Sequence, residues 1–166
     1  PECRGRSEAL NALYQGNAYE GGPLSRAMAM DYTLIKNMHR RFKDSAYTRV
    51  IARVYEIARL LQRAKTLLSE ISPDEPSFLP PAAVAEISAT GYGVVEAPRG
   101  PLIHEVQLEA GRIRRYRLIT PTQWNLGSGP RENPGVAQRA MIGSNSCDEA
   151  EFIFRTFDVC SVCTTH

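Results

Sequence analysis

A proline-rich segment divides this chain into two parts with different sequence patterns. Residues 72–81 read SPDEPSFLPP and contain four prolines in ten residues. Because proline lacks a backbone N–H and clashes with the preceding helical turn, no continuous helix crosses such a segment. Apolar residues follow helical spacing before it and partial alternation after it. We therefore predict a helical part at 1–72, a linker at 73–90, and a small sheet, loops and a terminal motif at 91–166.

The longest periodic stretch lies immediately before this linker. Between residues 44 and 71, apolar residues recur at spacings of three and four, which predicts a helix of about seven turns. The recurring residues are Val50, Val54, Ile57, Leu61, Ala64 and Leu68. Such a narrow stripe is typical of packing against another helix in a bundle, with Asp44 or Ser45 as the cap. The other face is predicted to stay in solvent and carries Arg49, Arg53, Arg59 and Arg63.

Three short segments after the linker are rich in β-branched residues and partly alternate. They are GYGVVEA (91–97), LIHEVQLEA (102–110) and RIRRYRLIT (112–120). Gly111 lies where a hairpin turn is needed, so we predict an antiparallel sheet. We interpret 121–135 as a long loop, followed by two short helices at 135–143 and 147–157. The predicted fold class is mainly α with a small antiparallel β-sheet (α+β), in which the helices form part of a bundle.

The composition excludes several classes of partner. The 166 residues carry 20 basic and 18 acidic side chains, and a net charge of +2 is too balanced to favour nucleic acid or an anionic membrane. No stretch approaches the roughly 18 apolar residues that a bilayer span requires, and the start does not resemble a signal peptide. We therefore expect no nucleic acid partner, no direct membrane span and no targeting segment in this sequence.

The last residues contain Cys160 and Cys163, three apart, followed by His166. A Cys-x-x-Cys pair brings two thiols close enough to bind one metal ion, but it also occurs in redox dithiols. A zinc site needs more ligands, and the candidates His104, Cys147 and His166 lack zinc-finger spacing. The spacing favours a metal site without giving its identity, and it leaves a zinc or redox module open.

Two further motifs place polar side chains next to a proline, which restricts the backbone. In EAPRG, Pro98 disfavours a helical conformation in the residue before it, and Gly100 permits a sharp turn of the backbone. We therefore expect Arg99 to be fixed at the end of a strand. In TPTQWN, Thr122 and the only tryptophan, Trp124, follow a proline. In isolation, the first motif is more often a surface arginine in a turn, and the second a tryptophan that anchors a loop.

Together, in this order, these motifs resemble the C-terminal part of the large subunit of nickel-iron hydrogenases. The resemblance is carried by GYGVVEAPRGPLIHEVQLEAGRIRRYRLITPTQWN (91–125), the terminal Asp-x-Cys-x-x-Cys-x-x-His, and upstream GGPLSRAM and RVIARVYEIARLL. The family's N-terminal Arg-x-Cys-Gly-x-Cys does not occur in this sequence. We therefore expect the N-terminal half of the large subunit to be a separate chain or to consist of residues removed before Pro1.

The resemblance implies a Ni-Fe(CN)2(CO) centre. By position, Cys160 would be a terminal nickel ligand, and Cys163 would bind nickel and bridge to the iron; soft thiolates suit nickel. Cys160 would also accept the proton released when H2 is cleaved. His166 matches a histidine that binds a structural magnesium together with the backbone carbonyl at the position of Leu118. A chain ending at His166 also matches the family's mature form, from which a C-terminal extension has been removed.

Three residues match those around the carbon monoxide and cyanide ligands of the iron: Pro98, Arg99 and Thr122. In the family the arginine overhangs the metals and takes part in catalysis. A guanidinium does not lose its proton, so it would polarise the site without buffering it. The Thr122 hydroxyl matches a donor to a cyanide.

The implied activity is reversible heterolytic cleavage of H2 to protons and electrons. The electrons would pass to iron-sulfur clusters in a small subunit, since four cysteines are too few for a relay in this chain. Regulatory H2 sensors and non-catalytic relatives use the same scaffold, and the presence of both Cys160 and Cys163 favours a metal-binding member. The expected location is the cytoplasm, or the membrane periphery through partner subunits.

Overall fold

The computed structural model describes residues 11–80 and 86–160. This part of the chain contains six α-helices and one three-stranded antiparallel sheet. In chain order they are α1 (Pro23–Ala29), α2 (Thr33–Phe42), α3 (Ala46–Glu70), β1 (Ala89–Ala97), β2 (Gly100–Glu109), β3 (Arg112–Ile119), α4 (Pro121–Leu126), α5 (Val136–Met141) and α6 (Cys147–Arg155). The predicted fold class is confirmed. None of the helices in these ranges has the length and apolar character needed to cross a bilayer.

The first three helices pack around a small apolar cluster. Its buried members are Leu24, Ala27, Ile35 and Ala52. The helix α3 begins at the predicted place, because the Ser45 hydroxyl accepts a hydrogen bond from the Thr48 backbone N–H at 3.3 Å. A left-handed residue, Asp31 (φ 60°), separates α1 from α2. Together these three helices form a layer, and the turn between β1 and β2 contacts this layer.

The face of α3 that packs in this layer is opposite to the predicted one. Ala52 is fully buried, and Ile51 and Tyr55 pack against the same cluster. At 100° per residue, the predicted apolar stripe lies on the other side of the helix. Its large members are 37–69% exposed in the described part of the chain: Val50, Val54, Ile57, Leu61 and Leu68. Periodicity located the stripe correctly, but α1 and α2 do not cover it.

Arg49, predicted to face solvent, is 5% exposed. Its Nε and Nη2 donate to the two carboxylate oxygens of Glu20 at 2.9 and 2.8 Å, and its Cζ lies 4.2 Å from the ring centroid of Phe157. The prediction was wrong because this bidentate carboxylate compensates the buried charge. Arg53 also turns inward and donates to the Thr156 carbonyl at 3.1 Å. These two arginines therefore tie α3 to the residues that follow α6.

The sheet has the order β1-β2-β3, and its strands match the three predicted segments. Gly111 has a φ of 72° in the β2–β3 turn, as predicted. The loop prediction for 121–135 is wrong at its start, where α4 forms. Thr120 and Gln123 make a capping box there, and proline occupies the first helical turn. The two short helices predicted further on are confirmed as α5 and α6.

The helical layer and the sheet meet where two backbones touch. Gly21 and Gly22 precede α1, and Gly100 begins β2. A Cβ atom on Gly100 would lie 3.1 Å from the Cα of Gly21 and the nitrogen of Gly22. Gly100 also has a φ of 136°, which side chains disfavour. Only glycine satisfies both the spacing and the backbone conformation.

We predict that Gly100→Ala lowers the free energy of unfolding by about 1–3 kcal/mol, because alanine is strained at this φ and its methyl group crowds the facing backbone. Thermal unfolding of the full assembled protein measures the effect. Gly93→Ala in β1 is the matched control, since a Cβ there has no atom within 4 Å among the described residues. Equal midpoints for the two variants would contradict the assigned contact.

Candidate active site

The structure brings Arg99 to the segment that precedes Cys160. Arg99 lies in the turn between β1 and β2, and its Nε donates to the backbone carbonyl of Asp158 at 2.8 Å. The same nitrogen lies 3.2 Å from Oδ2 of Asp158. Cys160 follows two residues later and is half-buried. Arg99 thus contacts the residue that lies two positions before Cys160, although the two predicted site residues are far apart in sequence.

Asp158 makes this connection because the chain reverses direction after α6. The helix ends at Arg155, and the Asp158 backbone N–H donates to the Arg155 carbonyl at 3.0 Å. Asp158 itself has a φ of 55°, a left-handed conformation that aspartate adopts more readily than most residues. The sequence interpretation did not assign Asp158 a role, although its place in Asp-x-Cys was a visible signal.

Asn125 holds the other side of the same turn. It is 3% exposed; its Oδ1 accepts from the Gly21 backbone N–H at 2.8 Å, and its Nδ2 donates to the Arg99 carbonyl at 3.1 Å. One buried amide therefore satisfies polar groups from both backbones of the glycine contact. Nothing in the sequence indicated this role for Asn125, because the two backbones that it bridges are far from it along the chain.

Thr122 is buried on α4, three residues before Asn125 and hence on the same side of the helix. Pro98 is exposed, and its carbonyl accepts from Nη2 of Arg26 at 2.9 Å. The Arg99 side chain is 39% exposed, so the described residues leave it partly open to solvent. All three predicted neighbours of the diatomic ligands nevertheless lie within one region of the fold, held by α1, α4 and the β1–β2 turn.

The magnesium prediction is only partly within the described residues. Leu118 lies in β3, where it pairs with His104 of β2, and it is 43% exposed. Cys163 and His166 lie outside the described residues, so their roles stay predictions. Within 11–80 and 86–160, no three His, Cys, Asp or Glu side chains come together as a metal site.

The model of the nickel-dependent hydrogenase family matches residues 11–166. The chain belongs to this family. Its structure is similar to the reduced Ni-Fe-Se hydrogenase of Desulfovibrio vulgaris Hildenborough, with a TM-score of 0.77 and 27% identity, over 92% of this chain and 36% of that chain. The resemblance inferred from the motifs is thereby confirmed.

Two relatives show how much of a hydrogenase large subunit is represented. The coenzyme F420 hydrogenase subunit alpha of Methanocaldococcus jannaschii is 31% identical over 155 residues, which is 93% of this chain and 33% of that protein. The uptake hydrogenase large subunit of Azotobacter chroococcum is 41% identical over 86 residues, covering 47% of this chain and 14% of the relative. The chain spans a third or less of the length of these two hydrogenase subunits.

We predict that Asn125→Ala speeds amide hydrogen exchange at Gly21 and in the β1–β2 turn, because two partly buried backbone groups lose their partner at a cost of up to about 1–3 kcal/mol. Exchange mass spectrometry of peptides containing Gly21 and Arg99 measures this. The control is Asn145→Ala, at an exposed asparagine just before α6 whose side chain donates to Glu149; it should leave both peptides unchanged. Unchanged exchange in Asn125→Ala would contradict the bridging role.

Proposed function

We propose that the chain forms the C-terminal part of the catalytic large subunit of a nickel-iron hydrogenase. The reaction is reversible heterolytic cleavage of H2 to protons and electrons. The observation that carries this proposal is the contact of Arg99 with Asp158, two residues before Cys160. In a member of the nickel-dependent hydrogenase family, this contact joins the two motifs that resemble the family's active site.

The donor chemistry of this segment fits a nickel-iron centre. Cys160 is half-buried at the end of the described residues, and Cys163 follows it by three positions. Thiolates of this kind suit nickel, so Cys160 would be a terminal ligand and Cys163 would bridge nickel and iron. The remaining ligands would come from the rest of the large subunit. When bound, a Ni-Fe(CN)2(CO) centre supplies the place where H2 is taken up and split.

The residues of this chain then have distinct tasks. The fixed positive charge of Arg99 would polarise the site without exchanging a proton. The carbonyl and carboxylate of Asp158 hold that guanidinium by its Nε. The Cys160 sulfur would accept the proton released from H2. Pro98 and Thr122 would flank the carbon monoxide and cyanide, with the Thr122 hydroxyl as a donor.

A structural magnesium is the third metal that we propose, after nickel and iron. His166 would supply an imidazole nitrogen, and the backbone carbonyl of Leu118 would supply an oxygen. The register of β3 opposite β2 fixes the position of that carbonyl. Oxygen ligands of this kind suit a hard divalent cation.

The proposed partners follow from what this chain lacks. Four cysteines cannot bind an electron relay in addition to nickel, so an iron-sulfur small subunit would receive the electrons. The rest of the large subunit would supply the other cysteines. We place the complex in the cytoplasm, or at the membrane periphery through partner subunits.

The exposed stripe of α3 supports the proposed contact with the rest of the large subunit. Its large apolar side chains, Val50 to Leu68, lie opposite the packed face and are 37–69% exposed among the described residues. Burial of an apolar side chain of this size stabilises an association by about 1.5–3 kcal/mol when it is complete. A stripe of this length is therefore a suitable surface for another helix to pack against.

We predict that Cys160→Ser abolishes H2 uptake and lowers bound nickel in the assembled complex, because a hydroxyl is a poor nickel ligand. Elemental analysis and a dye-coupled uptake assay measure the two effects. Cys147→Ser is the control: this cysteine is exposed at the start of α6, and its loss should change neither quantity.

Other results of the same experiment would lead to different conclusions. Zinc in place of nickel, or full activity in Cys160→Ser, would contradict the proposal. Nickel and iron in nearly equal amounts with H2 binding but very slow turnover would point to an H2 sensor on the same scaffold.

We also predict that Leu61→Asp prevents stable association of this chain with the rest of the large subunit, because a carboxylate on the apolar stripe would lose its hydration. Co-purification of the two parts measures association. Gln62→Asp, at the neighbouring exposed position but off the stripe, is the control and should co-purify normally. Equal recovery of both variants would contradict a docking role for this face.

A further inference from the structure

Arg26 on α1 makes the densest set of polar contacts near the predicted site, and sequence analysis gave it no role. Its Nε and Nη2 donate to the two carboxylate oxygens of Glu56 on α3, each at 2.7 Å. This bidentate geometry orients the whole guanidinium plane. Glu56 is thus a brace that fixes Arg26 against the helical layer.

The remaining N–H groups of Arg26 point to the strand end before Arg99. Nη1 donates to Oε2 of Glu96 at 2.8 Å and to the Ala97 carbonyl at 2.9 Å, and Nη2 donates to the Pro98 carbonyl at 2.9 Å. A guanidinium has five N–H donors. All five are used, and three of them contact consecutive residues that lead directly into Arg99.

The opposite charges of Arg26 and the two glutamates strengthen the contact between α1 and the strand end. The Glu56 carboxylate raises the pKa of Arg26, with a further contribution from Glu96. The side chains of Arg26 and Glu56 are mostly buried, at 22% and 23% exposure, so water screens the pair only in part. The Arg26 guanidinium therefore stays protonated.

We infer that Arg26, braced by Glu56, is a positioning residue that sets where the Arg99 guanidinium lies in the active site. Arg26 holds the Pro98 carbonyl on one side of Arg99, and Asn125 holds the Arg99 carbonyl on the other. The backbone of Arg99 is therefore fixed from both sides. This inference rests on the function proposed above for Arg99.

The fold itself depends on other contacts. The helices α1 and α3 pack through Leu24, Ala27 and Ala52, which are buried independently of Arg26. Lysine at position 26 would keep the charge but offers three donors from a single point, so it cannot serve Glu56 and the strand end together. Arg26→Lys therefore separates the geometry of the contact from its charge.

The test uses the full-length large subunit assembled with its small subunit, carrying Arg26→Lys, Arg26→Gln or Glu56→Gln. The measurements are nickel and iron content, the infrared bands of the iron-bound carbon monoxide and cyanide, and H2 uptake. We expect Arg26→Lys to keep both metals, to shift the infrared bands as Arg99→Lys does, and to lower uptake ten- to hundredfold, since catalysis is sensitive to displacements of about 1 Å. Arg114→Gln, an exposed arginine on β3, is the control and should resemble the unmodified enzyme.

Each other outcome has a defined meaning. Unchanged bands and uptake in all three variants, while Arg99→Lys alters both, would overturn the positioning role and leave the proposed function intact. Failure of all three to load nickel, with normal loading in Arg114→Gln, would mean that Arg26 is needed only for folding, and would also overturn the inference. Unchanged bands and uptake in Arg99→Lys would instead contradict the proposed role of Arg99.

Discussion

The contact between the Gly21-Gly22 backbone and the Arg99-Gly100 turn is the constraint on which the rest of the structure depends. It leaves no space for side chains, and so places the start of α1 directly against the end of the sheet. Asn125 then satisfies polar groups from both segments. Without this close approach, Arg99 would be one more arginine at the tip of a hairpin. With it, Arg99 reaches the residues that lead to Cys160.

Arginine–carboxylate pairs transmit this constraint to the helices. The Arg26–Glu56 pair connects α1 and α3 to the strand end, and the Arg49–Glu20 pair connects α3 to the segment before α1. Arg49 also lies over Phe157, just before the turn at the end of α6. If one partner of such a buried pair is removed, the other charge is left uncompensated, which strongly destabilises the fold. The pairs therefore penalise any arrangement in which their partners do not meet.

The sequence was sufficient to predict the helices other than α4, the three strands and the motifs that bring Arg99, Thr122 and Cys160 into one family pattern. It failed where a partner far along the chain decides the outcome. Arg49 is buried only because Glu20 meets it, and helical periodicity contains no information about that pair. The exposed stripe on α3 is a related case: the pattern identified the apolar face correctly, but not what would cover it. The helix α4 was missed because nearby glycines and prolines outweighed the local Thr-Pro-x-Gln capping signal.

The proposed function depends above all on the binding of nickel by the sulfur atom of Cys160 in the assembled enzyme. X-ray absorption at the nickel edge, on the purified complex, tests it most directly. We expect sulfur ligands around nickel, one fewer in Cys160→Ser, and no change in Cys147→Ser. Nickel with only nitrogen and oxygen ligands, or the same sulfur coordination in Cys160→Ser, would contradict the claim.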